Sequence, residues 1–238
     1  MTSVLLMGHG SPDPKGRSEL DQLRLLVERH LNRPITLGVL EHETDAMPSL
    51  VEILARLPQA ELVVAQPLLL FYGLHGRQDI PRLVEDAARD RGLKVKVGRP
   101  LGDDPVLLRL AVDRVRAALA GPGDALLFVG RGSSSAEALE QCGQTAAAVA
   151  AEVGLPHAVA YAGISRPDPA EALGALAAWA RRVIALPWLI HTGRLLGKVT
   201  EALEARSLQA AVPLAMLPHI GNGPDLVGLI ERRIRALL

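Results

Sequence analysis

The sequence predicts an α/β protein made of two duplicated domains, each a four-stranded parallel sheet flanked by helices, the pair facing across a cleft. Two observations predict it. Short, continuous apolar runs alternate with longer stretches of helical spacing, which is the pattern of parallel strands buried on both faces. That order is also written twice. Leu5-Leu6-Met7-Gly8-His9-Gly10-Ser11 returns as Leu127-Phe128-Val129-Gly130-Arg131-Gly132-Ser133. Pro67-Leu68-Leu69-Leu70-Phe71-Tyr72-Gly73-Leu74-His75 returns as Pro187-Trp188-Leu189-Ile190-His191-Thr192-Gly193-Arg194-Leu195. Pro100-Leu101-Gly102-Asp103-Asp104-Pro105 answers to Pro218-His219-Ile220-Gly221-Asn222-Gly223-Pro224. In the second copy Arg131 replaces His9 and Leu195 replaces His75.

Each element follows from local pattern. Residues 4–7 are a buried strand, and residues 19–31 a helix with Leu20, Leu23, Leu26, Val27 and Leu31 at helical spacing. Residues 35–40 form a strand and 49–57 a helix; 62–65 a strand and 79–91 a helix with Ile80, Leu83, Val84 and Ala87 inward. Residues 94–97 form a strand and 106–119 a helix. Ala120-Gly121-Pro122-Gly123 stops that helix and turns the chain, dividing it into residues 1–120 and 124–238. Strands at 125–129, 158–161, 183–186 and 211–216 then alternate with helices at 136–153, 169–179, 195–205 and 225–237.

In such sheets ligands sit beyond the carboxyl ends of the strands. His9 follows the first strand, Glu41, His42 and Glu43 follow the second, and His75 lies in the loop after the third. Topology therefore gathers them on one edge. A lone loop histidine is ordinarily solvent-facing, but these two share an edge and both vanish from the sister copy. Imidazoles bind borderline divalent metals and relay protons near neutral pH. Two of them with one carboxylate make an open site that holds a metal without sequestering it. Glu41 or Glu43 supplies the carboxylate; the bland reading of these acids is charge ahead of a helix N-terminus. His30, His157 and His219 read as surface or structural, and His191 is a weaker candidate. Basic residues gather at the same loops: Lys15, Arg17 and Arg77 in the first half, and Arg131, Arg166 and Arg194 in the second.

Composition narrows the function further. Acids and bases balance at 26 each over 238 residues, so nothing favours nucleic acid or an anionic membrane. An anionic ligand would need a local cluster of bases. Cys142 is the single cysteine, which excludes a four-cysteine iron–sulfur cluster. Met1-Thr2-Ser3-Val4-Leu5-Leu6-Met7 is too short and uncharged for a signal peptide. No apolar run reaches the roughly 18 residues of a membrane helix. The expected compartment is the cytoplasm.

Together the glycine–histidine turn, the Pro67–His75 segment, Asp79-Ile80-Pro81, the Pro100–Pro105 segment and Ala162-Gly163-Ile164-Ser165-Arg166-Pro167 resemble the sirohydrochlorin chelatase family. The resemblance is to its long two-domain form, the sirohydrochlorin cobaltochelatase type, related to the ferrochelatase, and it spans the whole chain. It implies two chelatase-like domains and insertion of a divalent metal, Co2+ or else Fe2+ or Ni2+, into sirohydrochlorin, a tetrapyrrole with eight carboxylates. Cobalt would serve cobalamin synthesis and iron sirohaem synthesis. The metal is a substrate, and no ATP or organic cofactor is implied. The family's catalytic and metal-holding residues fall on His9, His75 and Glu41. The stretch from Glu41 to Pro48 is longer than the family's usual pattern, which keeps Glu43 in play. Ser11, Arg17, Arg77, Arg131, Arg166 and Arg194 are the candidate substrate contacts. The duplication would stand in for the homodimer of the short form, giving a monomer or a weak homo-oligomer. A protoporphyrin chelatase ranks lower, because aromatic residues are only 3% of the chain. A non-catalytic tetrapyrrole or metal binder is the alternative of a different class.

Overall fold

The structure is a computed structural model that describes residues 2–58, 62–71, 73 and 80–238. Strands and helices alternate throughout. The first half runs β1 (Thr2–Gly8), α1 (Pro14–Leu31), β2 (Ile35–Val39), α2 (Leu50–Arg56), β3 (Leu62–Pro67), α3 (Ile80–Arg91), β4 (Lys94–Val97) and α4 (Pro105–Ala118). The second runs β5 (Asp124–Gly130), α5 (Ala136–Val153), β6 (His157–Tyr161), α6 (Pro169–Ala177), β7 (Arg182–Pro187), α7 (Arg194–Ala210), β8 (Leu214–Met216) and α8 (Pro224–Arg235). The predicted pair of parallel four-stranded sheets is present, in the orders β2-β1-β3-β4 and β6-β5-β7-β8. No described helix is long and apolar enough to cross a membrane.

The central strands are apolar because helices cover both faces. Leu5, Leu6, Val63, Val64 and Ala65 of the first sheet and Ala125 to Val129 of the second are almost wholly buried. Cys142 is buried against β5, with its Sγ 2.5 Å from where a Cβ on Gly130 would stand. Burial pushes its thiol from 9.0 up to about 12, so it stays a neutral thiol at pH 7.

The largest boundary differences from the sequence reading lie at the first helix and around α7. The first helix begins at Pro14 and not near residue 19. Asp13 caps it, accepting the Lys15 N–H at 2.9 Å, and Pro14 occupies the first turn, where a missing N–H costs nothing. Likewise α7 continues to Ala210 rather than 205, and the last strand shrinks to three residues. Ala211 closes the helix in the left-handed region at φ 51°, with the Val212 N–H on the Ser207 carbonyl at 3.2 Å.

Packing also departs from the sequence halves. Helix α4 packs on α5 and β7, whereas α8 packs on α1 and β3. The compact units are therefore residues up to Gly102 together with Asn222–Leu238, and Asp103–Gly221. Each half of the sequence gives its last helix to the other unit, so the turn at residues 120–123 divides the repeat and not the packing. Polar ties follow the exchange. Asn222 donates to the Glu19 carbonyl at 2.8 Å, Lys96 to the Leu237 carbonyl at 2.8 Å, and His30 Nδ1 lies 3.4 Å from Glu231 Oε2. In the other unit Arg114 of α4 donates to the Pro218 and Ile220 carbonyls at 3.0 and 3.1 Å.

The exchange yields a direct prediction. Ile230 of α8 is fully buried. Ile230→Ala should cost about 2–5 kcal/mol of stability. In hydrogen exchange the lost protection should fall on α1 and β3, with β5 and β7 unaffected. Loss confined to the second sheet would contradict the exchange.

Candidate functional site

Strand β1 is central in its sheet, with β2 on one side and β3 on the other. Parallel strands end at one edge, so whatever follows β1, β2 and β3 shares that edge. Pairing continues past the strands proper. Leu40 donates to the Gly8 carbonyl at 3.1 Å and Glu41 to the His9 carbonyl at 2.9 Å. Across β1, Leu68 donates to the Met7 carbonyl at 2.8 Å. His9 and Glu41 are thus adjacent in register although 32 positions apart in the chain.

Their side chains meet as well. His9 Nδ1 stands 4.0 Å from Glu41 Oε2; the imidazole is 13% exposed and the carboxylate 44%. His42 Nε2 approaches the same oxygen at 3.8 Å from the outer, exposed side. His42 has φ 59°, in the left-handed region. Sequence reading left the direction of His42 open, since nothing in the residue string announces a positive φ at a histidine.

Gly10 makes this closeness possible. Its φ is 93°, and a Cβ there would lie 1.8 Å from the Glu41 carbonyl oxygen. The segment after Glu41 places Glu43 elsewhere. Thr44 and Met47 exchange backbone hydrogen bonds at 3.0 and 2.9 Å, closing a tight turn that buries Met47. Glu43 is left exposed, lining a cavity of about 290 Å³ with Thr44, Asp45, Pro48, Glu52 and Arg56. Of the two carboxylates, Glu41 is the one facing His9.

Two of the sequence candidates, His75 and Arg77, lie outside the described residues. Among the described residues no group of three or more metal-ligating side chains forms. Ser11 is buried; its hydroxyl accepts the Asp13 N–H at 3.2 Å, and its carbonyl accepts Arg17 Nη1 at 3.1 Å. Arg17 also donates to the Pro12 carbonyl at 3.0 Å. Both residues shape the turn after His9. Arg166 is spoken for too, pairing with Asp168 and, at 3.1 Å, with Glu171 at the start of α6. Arg131 and Arg194 are exposed, directly after β5 and at the first position of α7.

The second copy follows the same register. Ala162 donates to the Gly130 carbonyl at 2.9 Å and Trp188 to the Val129 carbonyl at 2.8 Å. Glu41 therefore corresponds to Gly163, each standing 33 residues after its strand's final glycine. The second edge has lost its carboxylate along with its histidines, and the equal spacing is the signal that could have found this. In place of the His9–Glu41 pair, the Ser165 hydroxyl accepts the Ser133 N–H at 3.0 Å and donates to the Ser133 carbonyl at 2.9 Å.

The CbiX family model matches the chain twice, over residues 3–118 and 125–237. A sirohydrochlorin cobaltochelatase of Methanothermobacter thermautotrophicus is 24% identical over 135 residues, which are 49% of this chain and 92% of that protein. A sirohydrochlorin ferrochelatase of Priestia megaterium is 25% identical over 247 residues, covering 100% of this chain and 91% of its own length. The structure of the sirohydrochlorin chelatase SirB from Bacillus subtilis subspecies spizizenii in complex with cobalt superposes with a TM-score of 0.78. It covers 98% of this chain and 94% of its own, and at 19% identity that likeness shows the shared fold.

The two glycine turns separate backbone strain from steric conflict. Gly132 has φ 88°, but its nearest neighbour to a new Cβ is Ser165 Oγ at 3.2 Å. Gly132→Ala should lose about 1–2 kcal/mol, the cost of a left-handed non-glycine residue. Gly10→Ala should lose clearly more, because the Glu41 carbonyl must also move. Urea denaturation of both variants measures the difference, and equal losses would contradict the described contact.

Proposed function

We propose a function from one premise: the chain belongs to the CbiX family. On it we read the protein as a sirohydrochlorin chelatase that inserts a divalent metal into the macrocycle without ATP. The observation that carries the reading is the His9–Glu41 pair at the carboxyl edge of the first sheet, present in one copy of the duplication and replaced by Arg131 and Gly163 in the other. The first half, residues 1–120 by sequence, is then the catalytic copy, and residues 124–238 the degenerate one. The duplication makes a single chain sufficient.

The site's chemistry suits the task. Insertion of M2+ into the ring releases two pyrrole protons, so the reaction needs a base and a transient metal holder. His9 and Glu41, completed by His75, present two imidazoles and a carboxylate to the incoming metal. A three-donor set binds weakly enough for four ring nitrogens to take the ion. The His9 imidazole, once relieved of the metal, accepts one of the departing protons. The eight ring carboxylates need cationic partners in a chain of zero formal net charge. Arg131 and Arg194 are exposed at the edge of the second sheet and suit that role.

We take cobalt as the metal, with cobalamin synthesis as its use; the cobaltochelatase relative supports this. Iron for sirohaem is the second reading, supported by the ferrochelatase relative that aligns over the full chain. Anaerobic metallation of sirohydrochlorin, followed by visible absorbance with Co2+, Fe2+ and Ni2+ in turn, tests the assignment. His9→Ala and His75→Ala should each slow insertion by about 10²–10⁴-fold while the far-ultraviolet circular dichroism is unchanged. Near-normal rates in both variants would refute it. A faster rate with iron than with cobalt would select the second reading.

A further inference from the structure

The His9–Glu41 pair has a neighbour that the proposed reaction does not use. His42 Nε2 stands 3.8 Å from Glu41 Oε2, the oxygen that also lies 4.0 Å from His9 Nδ1. One carboxylate oxygen is thus shared by two imidazoles, one 13% exposed and the other 44%. Both separations are too long for a hydrogen bond. Each is a gap that a divalent ion can bridge, since imidazole nitrogen and carboxylate oxygen ligate at about 2.0–2.2 Å. No group of three such donors forms among the described residues. The gaps are therefore two positions that share an oxygen, an inner one at His9 and an outer one at His42.

The backbone at His42 sets this residue apart as well. Its φ of 59° lies in the left-handed region, which a residue with a side chain holds at a conformational cost. In the shared ladder register Leu40 corresponds to Ala162, and His42 therefore to Ile164. Ile164 has no positive φ and is 80% exposed. The equivalent strand end of the second copy thus carries neither the strained backbone nor a metal-ligating donor. The copy that keeps Glu41 keeps both. The next charged residues along the chain, Glu43 and Asp45, are exposed acids. Their field favours a cation here over a carboxylate of the macrocycle.

We propose that His42 and Glu41 form an outer site for a borderline divalent cation such as Co2+, which takes the ion from solvent and passes it inward to His9. The more exposed imidazole is the one that an ion can reach with its water shell still largely in place. The transfer is a ligand exchange. The bond from the ion to the His42 nitrogen breaks, a bond to the His9 nitrogen forms, and Glu41 stays bound throughout. Both imidazoles are neutral ligands, so the charge on the ion is unchanged. The inference rests on the reading of His9 and Glu41 as metal donors.

Metal binding without tetrapyrrole tests this apart from catalysis. Co2+ is titrated into the purified full chain, and its visible bands are followed in wild type, His42→Asn, His9→Ala and the double variant. Asparagine tolerates the left-handed backbone. His42→Gly, which carries no donor and takes that φ freely, is the second variant at the position. His9→Ala should still bind Co2+ at the outer site, more weakly than wild type. Adding His42→Asn should weaken that residual binding by at least about tenfold, the lower end for loss of a group supporting a metal ligand. With His9 in place, the same change should alter affinity less than about twofold, because the inner site then holds the ion. Residual binding that ignores both substitutions at His42, or an equal loss in both backgrounds, would overturn the inference. So would the absence of any Co2+ binding in folded His9→Ala. If neither His9→Ala nor Glu41→Gln weakens Co2+ binding, the reading of that pair as metal donors fails, and the inference with it.

Discussion

The site depends on one backbone interaction, the hydrogen bond from the Glu41 N–H to the His9 carbonyl. It extends the β1–β2 ladder beyond the last regular residues and fixes the spacing of two side chains that sequence places far apart. Such an extension demands that the chain turn away at once after His9, and Gly10 supplies the turn at φ 93° with no Cβ to strike the Glu41 oxygen. Ser11, Asp13 and Arg17 then spend their hydrogen bonds on the same turn, capping α1 and tying off the carbonyls of residues 11 and 12. Much that looks like binding chemistry in the string Gly-His-Gly-Ser therefore also serves as scaffolding, around a His9 that faces Glu41.

The duplication acts as a built-in control on what the scaffold requires. Both copies keep the β–α order, the register of the central strands and the seam between the third-strand loop and the turn before the last helix. Among the differences at the strand ends are His9 against Arg131 and Glu41 against Gly163. A fold that tolerates both changes in one copy does not need those residues to stand up. Their retention in the other copy points to chemistry. The exchange of α4 and α8 sets a limit on independence, since each compact unit is completed by a helix from the other half of the sequence. The copies are free to diverge in function but are bound together in folding.

Much of this was legible in the sequence. Apolar runs such as residues 125–129 could only be parallel strands buried on both faces, and the paired glycine turns marked their ends. The rule that ligands sit beyond strand ends put His9 and Glu41 on one edge, where the Glu41 N–H meets the His9 carbonyl. The misses have two physical causes: contacts between segments far apart in the chain, and local turns, caps and ion pairs that residue type alone does not announce. Periodicity shows that α8 has an apolar face, with Leu226, Leu229, Ile230 and Ile234 buried, but not that α1 and β3 cover it. Pattern placed the first helix at residue 19, where apolar residues at helical spacing begin, whereas Asp13 and Pro14 are its cap and first turn. The choice between Glu41 and Glu43 needed the Thr44–Met47 turn. Arg166 looked like a substrate clamp until Asp168 and Glu171 were seen to hold it.

The most direct measurement of the central claim is the number of rings metallated per chain. Wild-type protein is mixed anaerobically with a hundredfold excess of sirohydrochlorin and Co2+, and the visible spectrum is followed to completion beside a protein-free control and Glu41→Gln. A chelatase built on the His9–Glu41 pair converts many rings per chain, and the Glu41→Gln protein falls close to the uncatalysed rate. Conversion that stops at one ring per wild-type chain would contradict the account and make the protein a tetrapyrrole carrier.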